Sequence, residues 1–289
     1  MKVSMHREHR ARLYRSRGGT FLIVLFLLLV CSFMLLPILY AVLQSLKPIE
    51  EIFAYPPRFW VKNPTFDNFT QVFQLADNLW VPFSRYLFNS VMVSVIGTLV
   101  YIIIASMAAY PLAKASFPGA KIISLIIVWT MLFRGEVTAI PQYIVISSLK
   151  MVDTYLAVLL PPMAGTMGVF LMQQFIVSTI PNETLEAARI DGATEFGILF
   201  KIVFPCVKPG WLTLIIFTFQ NFWNSTGGTY LYSEQLKMLP NVMSSIAAGG
   251  IARAGAGSAV AVLLMIPPIL IFILSQSSIM ETMSHSGLK

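Results

Sequence analysis

The chain has 289 residues, 56% of them hydrophobic and only 11% charged, with a mean hydropathy of +0.74. A soluble domain carries roughly 25% charged residues, so composition excludes an ordinary soluble protein and points to a membrane. The net charge of +7 does not call for nucleic acid, because a basic cytoplasmic head beside anionic lipid accounts for it.

The charges are unevenly spaced and so mark out the spans. Uncharged runs cover 18–46, 86–113, 154–182, 209–233 and 254–280, each longer than the ~20 residues a helix needs to cross. A sixth apolar region, Ile122 to about Ile146, is interrupted by Arg134 and Glu136. The expectation is an all-α membrane protein with six transmembrane helices. Lys2, Arg7, Arg10, Arg12, Arg15 and Arg17 precede the first span, which places the N-terminus in the cytoplasm. Six crossings return the C-terminus there. Twelve of the twenty basic residues then lie inside. The division is a basic cytoplasmic segment (1–19), a transmembrane domain (20–280) with a cytoplasmic loop at 181–209, and a cytoplasmic tail (281–289).

In chain order, the first span reads as uncleaved. Its apolar run exceeds the ~7–15 residues of a signal-peptide core, and no small-x-small site follows. Pro37 can kink it. In the outer segment 47–84, Pro48, Pro56, Pro57 and Pro64 oppose a long early helix. From Asp67, the spacing of Phe69, Val72 and Phe73 predicts a short amphipathic helix, lying on the membrane surface or capping the spans. The second span runs through Val91–Tyr110 and the third starts after Lys121. The fourth, Tyr155–Ser178, holds Pro161, Pro162, Gly165 and Gly168 and should be broken or kinked. The fifth, Gly210–Gly227, carries Gln220, Asn221, Trp223 and Asn224; the sixth, Ala259–Ser275, contains Pro267 and Pro268. No internal repeat is evident. Cys31 and Cys206 should lie far apart and imply neither a disulfide nor a metal framework.

Between the fourth and fifth spans sits a short insert. Asn182 is a candidate N-cap for a helix from Glu183 to about Asp191, which Gly192 would end as a C′ glycine. Thr194 can cap a second helix with Phe196, Leu199, Phe200, Val203 and Phe204 on one apolar face, free to dock on the bundle. The small Ala187 and Ala188 allow a partner surface to approach closely. Periodicity alone fits an ordinary amphipathic loop helix equally well.

The order Glu186-Ala187-Ala188, Gly192 four positions on, then Ile202 and Pro205 resembles the EAA motif of membrane permeases in binding-protein-dependent ABC importers. Phe204 stands where the family usually has Leu before the proline. Asp191-Gly192-Ala193, Lys208-Pro209, Phe88-Asn89-Ser90 and Trp223-Asn224 are similar to the maltose-type carbohydrate branch. The tail Met280–Gly287 is similar to a subgroup serving complex oligosaccharides such as pectin or alginate fragments. The resemblance implies a type I ABC importer permease fold in a bacterial inner membrane. It implies a second homologous permease, a dimer of ATPase subunits, an extracytoplasmic solute-binding protein and an oligosaccharide as partners. Glu186, Ala187, Ala188, Arg189, Asp191 and Gly192 would form the segment coupled to the ATPase. ATP and Mg would be used by that partner. This chain has neither G-x-x-x-x-G-K-[ST] nor any Gly-Lys pair and so no loop to cradle phosphates.

Polar residues within the spans supply candidates for the translocation path. Arg134 and Glu136 sit inside the third apolar region, where a charge at the bilayer centre costs roughly 2.5–3.5 kcal/mol on insertion scales. They can face a pathway and attract an acidic sugar, pair structurally, or lie near the outer surface. Gln220, Trp223 and Asn224 share a face at i, i+3, i+4 and suit either sugar binding or interhelical packing; Asn221 adjoins them. An ion-coupled secondary transporter would need paired ionisable groups in several helices, and only the third span has them. The histidines, His6, His9 and His285, lie near the termini, which excludes an intramembrane Ser-His hydrolase. An intramembrane aspartyl pair is also missing. A purely structural subunit is argued against by the insert alone.

Overall fold

The computed structural model describes residues 17–77, 81–133, 135–250 and 253–286. The regular structure among these residues is all helical, with no strand. The basic head before Arg17, Arg134 and the last three residues lie outside the described set, as do the side chains of Glu136 and of the tail from Ser277.

The first span is α1 (Arg17–Ser45). Pro37 lies inside it without ending it, as neighbouring groups in a membrane allow. A short α2 (Ile49–Ile52) and α3 (Asp67–Asp77) follow. In α3 the buried stripe is Asn68, Val72 and Ala76, while Phe73 is exposed and Phe69 half-buried. The helix therefore caps the bundle. Its buried amide explains why: Asn68 Nδ2 donates to the carbonyls of Ser45 (2.9 Å) and Lys47 (2.7 Å), acceptors freed where α1 ends. Glu51 accepts the backbone N–H groups of Lys62 (3.0 Å) and Asn63 (2.9 Å), fixing the proline-rich stretch between.

The hub of the bundle is α4 (Phe83–Lys114), packed chiefly against α8 (Thr166–Thr179) and α11 (Lys208–Trp223). The last span, α13 (Ala254–Ser286), packs on α11, α1 and α12 (Leu239–Ala247). The third apolar region departs from expectation. It is two short helices, α5 (Ala120–Thr130) and α6 (Gly135–Ser148), separated by a turn after Thr130. Pro141 removes one helical N–H, and Thr130 Oγ1 bonds back to the Ile127 carbonyl at 2.7 Å. The fourth is broken as the prolines predict: α7 (Tyr155–Met163) and α8 meet at 43° across Gly165.

That break is bridged from α4. The Tyr101 hydroxyl donates to the Gly165 carbonyl (2.8 Å) and accepts the Gly168 N–H (2.9 Å). Backbone groups freed by the break thus regain partners inside a medium that offers none. Gly168 is needed for the approach, since a Cβ there would lie 2.6 Å from the Tyr101 ring.

Among the described residues, three helices are long and apolar enough to cross a membrane by themselves, and up to five spans result if each bent pair counts once. The second pair is α10 (Glu195–Cys206) with α11, bent by 80°.

Candidate functional site

The insert between α8 and α11 folds as two helices around Gly192. The first, α9 (Asn182–Ile190), carries Glu183 in its first turn and Arg189 in its last, each favoured there by the helix dipole. Asn182 does not cap it. The helix already includes this residue, and Asn182 Oδ1 accepts instead from Lys114 Nζ at 3.0 Å. Termination follows the sequence: Ala193 N–H bonds to Ala188 O (3.0 Å) and Gly192 N–H to Arg189 O (3.0 Å), a Schellman motif with Gly192 at φ +80°. Thr194 caps α10, its Oγ1 accepting the Gly197 N–H at 3.2 Å.

Which face of each helix docks differs in part from the sequence reading. Leu185 and Ala188 are buried in one apolar cluster with Ala109, Tyr110, Ile198, Leu199, Val203 and Val207. Ala188 thus faces the bundle, one turn beyond Leu185, rather than a partner. Glu186, Ala187, Arg189, Asp191 and Gly192 remain exposed, and Ile190 is 87% exposed. In α10, a π-helical segment at Leu199–Val203 widens the turn and moves the buried stripe to Ile198, Leu199, Val203 and Val207. Phe196 and Phe200 are left exposed, and Phe204 stacks on Trp211 at 5.6 Å.

Polar ties join this loop to the end of α4. Tyr110 donates to Glu195 Oε2 (2.7 Å), and Arg189 Nε to Glu195 Oε1 (2.8 Å). The Arg189 hydrogen bond, then the Tyr110 hydroxyl, hold the Glu195 carboxyl below the usual carboxylate value. Lys114 Nζ donates to the Ile180 carbonyl at 2.6 Å. A hollow of about 440 Å³ lies beside the ion pair, lined largely by Met107, Pro111, Phe196 and Leu199.

At the C-terminal end of α11, Gln220, Asn221 and Asn224 are exposed whereas Trp223 is 1% exposed. Its ring stacks on Phe219 at 5.9 Å and its indole N–H donates to the Leu264 carbonyl of α13 at 3.0 Å. Trp223 is thus separated from the amides on either side of it and occupies the packing role. Arg134 and the Glu136 side chain lie outside the described residues.

At the opposite end of α4 from the insert, the Asp153 carboxylate accepts the N–H groups of Tyr232 (2.9 Å) and Ser233 (2.8 Å) and the Ser233 hydroxyl. The Ser233 hydroxyl, followed by the two N–H groups, lowers its pKa. Asn89 Nδ2 binds the carbonyls of Gln235 (2.8 Å) and Lys237 (2.9 Å), and Ser90 Oγ accepts Leu239 N–H at 2.8 Å. Phe88-Asn89-Ser90 therefore owes its polar pair to holding the loop before α12.

Residues 98–284 match the family described as the inner membrane component of binding-protein-dependent transport systems. The chain belongs to this family. Similar members include the arabinooligosaccharides transport permease AraQ of Bacillus subtilis, 30% identical over 92% of this chain and 95% of that protein. The polygalacturonan/rhamnogalacturonan permease YtcP of the same bacterium is 30% identical over 89% and 93%. The sn-glycerol-3-phosphate permease UgpE of Escherichia coli is 29% identical over 90% and 94%. A solved bacterial ABC transporter involved in import of the acidic polysaccharide alginate shares the fold, with a TM-score of 0.72, 24% identity and coverage of 91% of this chain and 98% of that one.

As a permease subunit of a binding-protein-dependent importer, the chain is an all-helical inner membrane component. Sequence reasoning passed over Tyr101, Tyr110, Lys114 and Glu195. Glu195 reads locally as an acid after an N-cap, and its partner Tyr110 is 85 positions away. Only a tyrosine and a lysine near the C-terminal end of an otherwise apolar helix hinted at either tie.

Proposed function

We propose that this permease subunit forms part of the translocation pathway of an ATP-driven importer for oligosaccharides, acidic ones such as uronate oligomers included. The chain crosses the membrane six times, α5 with α6 forming the third crossing, and both termini are cytoplasmic. Its α9–Gly192–α10 loop is the EAA coupling segment, received by a dimer of cytoplasmic ATPase subunits that turn over ATP and Mg. A second homologous permease completes the pathway, and an extracytoplasmic binding protein delivers the sugar at the outer loops. Gln220, Asn221 and Asn224, with Arg134 and Glu136, are the path candidates in this chain.

The observation that carries the reading is the geometry of the loop. Leu185 and Ala188 anchor α9 while Glu186, Ala187 and Ile190 face away from the bundle. Ile190, 87% exposed at the end of α9, adds an apolar side chain to that outward face. Relatives named for oligosaccharide and polysaccharide transport support the substrate class.

The test is Gly192→Val in the complete transporter reconstituted in liposomes. A β-branched residue at φ +80° is strained by about 1–3 kcal/mol and unwinds the Schellman motif. The complex should assemble and hydrolyse ATP while ATP-dependent uptake is lost. Normal uptake in that variant would overturn the assignment of Gly192.

A further inference from the structure

The ties between the loop and α4 are placed at both of its ends. At the entrance, Lys114 Nζ reaches the Ile180 carbonyl (2.6 Å) and Asn182 Oδ1 (3.0 Å). At the exit, beyond Gly192, Glu195 is held by Tyr110 (2.7 Å) and Arg189 (2.8 Å). Tyr110 and Lys114 are one helical turn apart, four residues on the same face of α4. Both ends of α9 are therefore bonded to the last turn or so of a single span.

We infer that Tyr110 and Lys114 are positioning residues that clamp the coupling loop to α4, making α4 the span that receives its displacement. The inference rests on the coupling reading above. A load on the exposed face of α9 tends to tilt the helix about its buried anchors, Leu185 and Ala188, one turn apart near its middle. Anchors so close together permit that tilt, whereas bonds at both ends convert it into movement of the span they share. Ile198 and Leu199 of α10 pack with Ala109 and Tyr110 of α4, but the hollow beside the Arg189–Glu195 pair leaves the exit bond without apolar backing on that side. The ammonium of Lys114 further suits its place, since the carbonyls at the end of α4 attract a cation. Arg189 joins the clamp through Glu195 and thereby ties the last turn of α9 to the start of α10 across the glycine.

The experiment uses the whole transporter in nanodiscs or liposomes, comparing wild type, Tyr110→Phe, Lys114→Met and the double variant. Each is scored for subunit assembly, ATP turnover and sugar uptake. Phe retains the ring of Tyr110 and Met most of the apolar length of Lys114, so the buried contacts survive. Uptake per ATP should fall about fivefold or more in the double variant, the scale of a modest coupling between sites, with assembly intact. Lys114→Arg should restore it in the Lys114 background. An unchanged ratio in assembled double variant overturns the clamp, and so does a loss of assembly with a normal ratio in the complexes that remain. If Gly192→Val uncouples while the double variant does not, the coupling loop stands and the clamp alone fails. If neither affects the ratio, the coupling reading itself is wrong.

Discussion

A tyrosine hydroxyl that donates one hydrogen bond and accepts another across a broken helix leaves two backbone groups stranded when it is removed. In Tyr101→Phe, the Gly165 carbonyl and Gly168 N–H lose their partner where water is scarce, at about 1–3 kcal/mol for an unsatisfied buried group. Thermal unfolding of the purified subunit should show the loss. Trp223→Phe should likewise lower stability, by about 0.6–1.7 kcal/mol for one interhelical hydrogen bond in a membrane. It should leave the choice of sugar unaltered in uptake competition. Arg134→Gln carries the charge argument: uptake of acidic oligosaccharides should fall while that of neutral ones persists, and equal loss of both would remove it. At this scale the sequence showed the special backbone positions clearly. Gly192 stood where its left-handed φ is required, and Thr194 where its hydroxyl caps. It could not show that Trp223 is turned into the bundle, because three consecutive helical positions, Phe222 to Asn224, divide between core and surface only once α13 is in place.

The helix pair around Gly192 adds a dependence on pH. Glu195 has its carboxyl pKa lowered by Arg189 and Tyr110, so the stability its ionised form gives the loop is complete above the unfolded carboxylate value of about 4.3. It is lost as pH falls through the lower folded value. A nitroxide at position 187 should therefore stay equally ordered from neutral pH to about pH 5 and gain mobility only below about pH 4. Glu195→Gln should abolish that transition. The pair is exposed on both sides, so its worth is that of a surface ion pair. Elements were legible in the sequence where their signals were local: the amphipathic α3, the bend between α7 and α8, and the stop at Gly192. Others depended on neighbours. The π-helical segment at Leu199–Val203 shifts the buried stripe and exposes Phe196 and Phe200, and no period of 3.6 foretells it. In the third apolar region Arg134 and Glu136 marked an interruption, but hydropathy does not register the turn that divides α5 from α6.

At the level of the whole molecule, the crossing count and orientation lend themselves to cysteine labelling. With Cys31 and Cys206 replaced, Tyr232→Cys should react with an impermeant maleimide from outside intact cells. Ile190→Cys should react only after the cytoplasmic side is opened. The reverse pattern would invert the topology. The bundle also has an order of assembly written into it. The apolar window of α1 is not buried at all within this chain, and its principal contact is with α13, the last span. Within this chain, the first helix therefore meets its main helical partner only once the final one is made. A chain truncated before Ala254 would strand it without its mate, a natural signal for membrane quality control to find.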